Sequence, residues 1–152
     1  MKWRTPCPME NSKSICSRNI TSERTDRRGP KHWCAGFTPT KGMISPGVFV
    51  PVFERNGFIS RLDYCIWEQA CRLLRKWMDA GETLFPISVN VSRVNIYTSD
   101  LVESICALTE KYRIPNRLLN LELTESAYTD SPQIMMEMID QLKAKEIYCS
   151  YG

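Results

Sequence analysis

Asn90 lies in Ile87-Ser88-Val89-Asn90-Val91-Ser92, and Glu122 lies 32 residues later in Leu121-Glu122-Leu123-Thr124-Glu125-Ser126. Each side chain sits near the end of an apolar run, and the segment between the runs has helical periodicity. If both runs are parallel strands, the crossover sets the two side chains side by side at the strands' carboxyl ends. That is where α/β sheets and barrels build their active sites. An amide oxygen and a carboxylate are hard donors that suit a divalent cation such as Mg²⁺. From these residues alone, structural hydrogen bonding at two strand ends is an equal alternative.

The surrounding pattern supplies elements to position the pair. Ser60 to Ala80 carries Leu62, Ile66, Leu73, Leu74 and Trp77 on one helical face, with Gly81 as a stop. Leu84 to Val91 is an apolar, β-rich run and predicts a buried strand. Asp100 to Tyr112 repeats Leu101, Ile105, Leu108 and Tyr112 at helical spacing, with Pro115 beyond its end. Leu118 to Leu123 predicts the next strand. Ser131 caps a third helix with Pro132 at its first position, and Ile134, Met135, Met138, Ile139 and Leu142 form its apolar face. Ile147 to Tyr151 predicts a further strand. Strand, helix, strand, helix, strand at this spacing argues for parallel βαβ units. The methionine stripe of the last helix reads as core.

A chain of 152 residues has room for one domain with one core. Its hydrophobic share of 43% and charged share of 24% are those of an ordinary globular protein. No apolar run reaches the roughly 18 residues of a membrane span, and no signal-peptide h-region opens the chain. Seven irregularly spaced cysteines and a single histidine, His32, fit reduced thiols in a cytoplasmic protein better than a disulfide framework. Residues 1–45 hold nine Lys or Arg against Glu10, Glu23 and Asp26, a net +6, with no aromatic interleaving or nucleic-acid reader motif. That charge reads as a solvated, poorly ordered arm and not as a nucleic-acid surface. Residues 1–40 show no sustained period of 2 or 3.6. The expected division is an irregular arm over 1–40 and an α/β domain over 41–152. Cys7, Cys16, His32 and Cys34 lack any Cys-x-x-Cys pair and make a poor zinc site. Cys71 and Cys106 fall on helical faces as small core residues, and Glu54 and Asp63 have no spacing that makes them an acid/base pair.

From Lys41 onward the chain resembles the EAL family of cyclic di-GMP phosphodiesterases. The matching residues are Gly42-Met43-Ile44-Ser45-Pro46-Gly47-Val48-Phe49-Val50-Pro51, Asn56-Gly57-Phe58-Ile59, Leu62-Asp63, Glu68-Gln69-Ala70-Cys71 and the two runs quoted above. The resemblance implies a TIM-like (β/α) barrel hydrolase of bacterial signalling. Such an enzyme cleaves one phosphodiester bond of cyclic di-GMP with two Mg²⁺ or Mn²⁺ ions. It also implies that Asn90 and Glu122 stand at metal-ligand positions, and that Glu125 steadies a neighbouring active-site loop.

Two cations a few ångströms apart need several anionic ligands, whereas Asn90 and Glu122 supply one negative charge. The family's Glu-Ala-Leu signature is replaced here by Gly29-Pro30-Lys31-His32-Trp33-Cys34-Ala35-Gly36-Phe37-Thr38. The sequence stops at Gly152, where the resemblance puts an Asp-Asp-Phe-Gly segment. The fold expectation is therefore a partial EAL-type barrel, about half of the whole, preceded by the poorly ordered arm. The functional expectation is a catalytically inactive remnant. The alternatives are a degenerate module that binds protein or cyclic di-GMP, and a phosphodiesterase active only when another chain complements it. Codons for residues 29–38, read one nucleotide earlier, can spell Ala-Glu-Ala-Leu-Val-Arg-Trp-Ile-His, and the same offset turns Ile15–Ile20 into Leu-Gln-Pro-Lys-Tyr. We expect the coding strand over residues 12–39 to carry two compensating indels. Nucleotide sequencing checks this, and a shifted frame without Glu-Ala-Leu refutes it.

Overall fold

The computed structural model describes residues 36–38, 42–44, 46–98, 100–123 and 132–151. A short antiparallel hairpin opens this set, with β1 (Gly36–Thr38) paired to β2 (Gly42–Ile44) across the boundary expected at residue 40. Helix α1 (Pro46–Arg55) follows. It starts on a proline, which needs no amide partner there, and carries a second one at Pro51. Helix α2 (Ile59–Asp79) matches the periodic stretch to within a residue at each end. Then come β3 (Ile87–Val91), the single turn α3 (Arg93–Ile96), α4 (Leu101–Tyr112), a 3₁₀ turn (Asn116–Leu118) and β4 (Leu119–Leu123). Helix α5 (Pro132–Ala144) and β5 (Tyr148–Tyr151) complete the described elements. Pro132 is the first helical residue, as expected, while Ser131 lies outside the described residues.

β3, β4 and β5 form a parallel sheet in chain order, with α4 and α5 as the crossovers. Helix α2 packs on β3 and α4, and α5 packs on β5 and α4. The core lies between sheet and helices. Val89 and Val91 alternate with Ser88 and Asn90, and Leu121 and Leu123 alternate with Asn120 and Glu122, so one sheet face is apolar and the other polar. The apolar face meets Ala70, Cys71 and Leu74 of α2, Ile105 and Leu108 of α4, and Met135 and Leu142 of α5. The small Ala70 and Cys71 mark the close approach of α2 to the sheet. Ile134 departs from the expected stripe. It is 47% exposed at the rim of the first turn, while Met135, Met138, Ile139 and Leu142 are buried. β3 starts three residues later than Leu84 because Pro86 has no N–H for a ladder, and Phe85 faces solvent.

The polar face has its own tie. Asn120 Nδ2 donates to Ser88 Oγ (3.0 Å) and Ser150 Oγ (3.1 Å), linking all three parallel strands below Glu122.

Three helices end alike. After α2, Gly81 N–H donates to Met78 O (3.2 Å) and Glu82 N–H to Trp77 O (3.0 Å). This is the paired 5→2 and 6→1 closure that needs a left-handed residue just past the helix. Gly81 meets that need with φ +68° at little cost. Helices α4 and α5 close with the same bonds around Arg113 (φ 52°) and Glu146 (φ 57°), which are not glycine. The residues that follow, Ile114 and Ile147, drop into the core and lead toward β4 and β5. Arg113→Gly and Glu146→Gly are each expected to stabilise the chain by about 0.5–1 kcal/mol, the relief of left-handed strain less glycine's extra unfolded entropy. Urea unfolding midpoints of the full chain check this.

Candidate cation half-site at the carboxyl end of the sheet

The parallel ladder runs Ile87↔Leu119, Val89↔Leu121, Asn90↔Glu122 and Val91↔Leu123. Asn90 and Glu122 are therefore direct register partners at the carboxyl ends of adjacent strands, as their spacing implies. Asn90 is exposed and Glu122 half-buried. Ser150 of β5 is the next partner of Glu122 in the same row. This row supplies an amide oxygen, a carboxylate and a hydroxyl. Such a donor set fits one hard divalent cation. It does not fit two, because a pair of dications needs more than one carboxylate. Among the described residues no three His, Cys, Asp or Glu side chains converge on a common point. Glu125, and Cys7, Cys16, His32 and Cys34, lie outside the described residues.

Two residues behind the pair have no obvious spacing signal. Asp63 is only 5% exposed on α2, inside a face that is otherwise apolar. Its Oδ2 accepts hydrogen bonds from Ser92 N–H (2.8 Å) and Asn95 Nδ2 (2.7 Å), just beyond the end of β3. Burial pushes the Asp63 carboxyl above its ordinary value, and the bonds from Ser92 and Asn95 oppose that rise. One turn further along α2, the Trp67 Nε1–H donates to Asn90 O (3.1 Å). The signal that could have found Asp63 is a lone acid on an apolar helical stripe, which is costly to bury without partners. Glu54, by contrast, is exposed on α1.

Glu68, in the family-like Glu68-Gln69-Ala70-Cys71 stretch, points away from the strand ends and joins two helices. Its Oε1 accepts from Lys111 Nζ (2.6 Å) and Tyr112 OH (2.8 Å), with Arg72 Nη2 at 3.7 Å. Burial acts to raise the Glu68 carboxyl, but the Lys111 and Tyr112 bonds and the Lys111 and Arg72 charges outweigh it. The net position is below the usual 4.5. Three described cysteines have thiols that burial holds in the protonated, weakly nucleophilic form. Burial pushes Cys71 up to about 12 and raises Cys106 and Cys149. Cys71, Cys106 and Cys149 are free thiols, whereas Cys65 is disulfide-bonded, which departs from the expected all-reduced state. No helix among the described residues is long and apolar enough to cross a membrane.

A parallel βα sheet with oxygen donors aligned at its carboxyl ends defines an α/β protein, the class that includes both doubly wound sheets and TIM-like barrels. Comparison with known proteins is more specific. The EAL domain family model matches residues 31–150, and the chain belongs to that family. It is 31% identical over 106 residues to the bifunctional diguanylate cyclase/cyclic di-GMP phosphodiesterase MucR of Pseudomonas aeruginosa, covering 70% of this chain and 16% of that protein. It is 30% identical over 105 residues to the cyclic di-GMP phosphodiesterase NbdA of the same organism, covering 69% of this chain and 13% of NbdA. The structure of the MucR phosphodiesterase in complex with c-di-GMP superposes with a TM-score of 0.78 at 28% identity, over 82% of this chain and 50% of that one. The FimX EAL domain bound to c-di-GMP, at 14% identity and a TM-score of 0.74, shares the fold alone, over 85% of this chain and 51% of that one. The chain thus spans about half the EAL domains it superposes on and a smaller share of the full-length relatives.

Because the Glu68 carboxyl is depressed, its contribution to stability is complete above the unfolded-state value near 4.5 and is lost as pH falls through the lower folded value. Glu68→Gln should lower the urea midpoint at pH 7 and match the parent at strongly acid pH. Paired urea titrations across that range check it.

Proposed function

We propose that this chain is a remnant of an EAL-type cyclic di-GMP phosphodiesterase domain that keeps half of one cation site and does not turn over substrate by itself. The register pairing of Asn90 with Glu122 supports the ancestral half of that statement, since it places two hard donors side by side on neighbouring strands of an EAL-family sheet. The composition of residues 29–38 supports the inactive half. No carboxylate occurs there, whereas the family resemblance expects a Glu-Ala-Leu signature. Asn90 and Glu122 would hold one Mg²⁺ or Mn²⁺, with Glu125 supporting the adjoining loop. A cation so bound supplies positive charge for a phosphodiester oxygen and acidifies a water. The row of Asn90, Glu122 and Ser150 carries one carboxylate, too little charge to balance a second cation. The cyclic di-GMP named for the MucR and FimX structures is the ligand class to test. The bacterial setting of those relatives fits a signalling protein of the cytoplasm.

The test is the purified 152-residue chain incubated with cyclic di-GMP and Mn²⁺, with products separated by chromatography. The expected outcome is no linear dinucleotide above the protein-free control. Mn²⁺-dependent hydrolysis would overturn the proposal, and dinucleotide binding without hydrolysis would replace it with a binding module.

A further inference from the structure

Asp63 and Trp67 stand four residues apart on α2, hence on one helical face, and both reach the carboxyl end of β3. Trp67 is 3% exposed and holds the Asn90 carbonyl, while Asp63 holds the N–H two residues later and the Asn95 amide. Among the described residues the paired ladder with β4 ends at Val91↔Leu123, and Ser92 lies just beyond it. Resting on the assignment of Asn90 and Glu122 as a ligand pair, we infer that Asp63 and Trp67 are positioning residues. They clamp the backbone at the Asn90 carbonyl and at the Ser92 N–H just beyond it, and so aim the Asn90 side-chain oxygen toward Glu122.

The physical grounds are specific to this location. A ligand oxygen binds a hard cation well only when its backbone is held before the metal arrives, because ordering it afterwards subtracts from affinity. The clamp consists of buried and part-buried hydrogen bonds, one from an indole N–H and two to a carboxylate, and such bonds are costly to leave unmade. Asn95 extends the hold, since its carbonyl accepts from Thr98 Oγ1 (2.8 Å) and its N–H donates to Ser92 O (3.0 Å), which locks the turn α3 that carries the chain away from the strand ends.

The experiment is a titration of the full chain with Mn²⁺ alone, reading free Mn²⁺ by electron paramagnetic resonance, with melting followed by circular dichroism. Trp67→Phe deletes the donor together with some ring volume, whose cost the melting curves report, and Asp63→Asn keeps the side-chain shape. Asn116→Ala serves as a control at the opposite end of the strands, where Asn116 Nδ2 donates to Lys145 O (2.8 Å). Trp67→Phe and Asp63→Asn are each expected to weaken Mn²⁺ binding about tenfold, while Asn116→Ala lowers the melting temperature and leaves affinity within about twofold. Affinity within about twofold of the parent for both clamp variants overturns the inference, as does an equal loss in the control. If Asn90→Ala and Glu122→Ala bind Mn²⁺ as the parent does, the ligand pair itself is wrong and the clamp's purpose falls with it.

Discussion

The parallel pairing of β3 with β4 is the constraint on which the other features hang. Side chains alternate with a period of two, so a slip of one residue would turn Val89, Val91, Leu121 and Leu123 outward and bring Asn90 and Glu122 under the helices. Burial of the four aliphatics against α2, α4 and α5 makes that slip costly. The register that satisfies the core therefore also sets the two ligand-type residues beside each other on the opposite, polar face. Packing and chemistry are enforced by one ladder.

Helix α2 does more than cover the sheet. Its small residues Ala70 and Cys71 let it approach closely, its Glu68 ties it to α4 through Lys111 and Tyr112, and its Asp63 and Trp67 reach the end of β3. A carboxylate as buried as Asp63 is tolerated because two N–H groups meet it, and the same bonds order the turn after the strand. The polar cluster thus couples the stability of the α2–β3 contact to the geometry of the strand end. Family membership fits this arrangement, since half of an EAL domain is enough to build these two strands and their crossover helix.

What the half-barrel carries is separable from what catalysis needs. The order of elements, the cover of the sheet and one row of oxygen donors are in place. That row supplies one carboxylate, which is less charge than two cations need. Membership of the family rests on sequence and fold, whereas the capacity of a cation site rests on the donors that line it.

Much of the fold was legible because its signals are local. The 3.6-residue repeat of Leu101, Ile105 and Leu108, and the alternation through Leu119 to Leu123, recur within one element and need no knowledge of neighbours. With the crossover length, they were enough to align Asn90 with Glu122. Errors arose at edges, where Pro86 shortened β3 and Ile134 fell at the rim of its stripe. The roles of Asp63, Trp67 and Glu68 were decided only by tertiary structure. Their partners lie 29, 23 and 43 residues away, and a hydrogen bond over such a separation exists only once α2 has docked on the sheet and on α4. Periodicity reports which face of an element is apolar, whereas the partner of a buried polar group is set by how two elements pack.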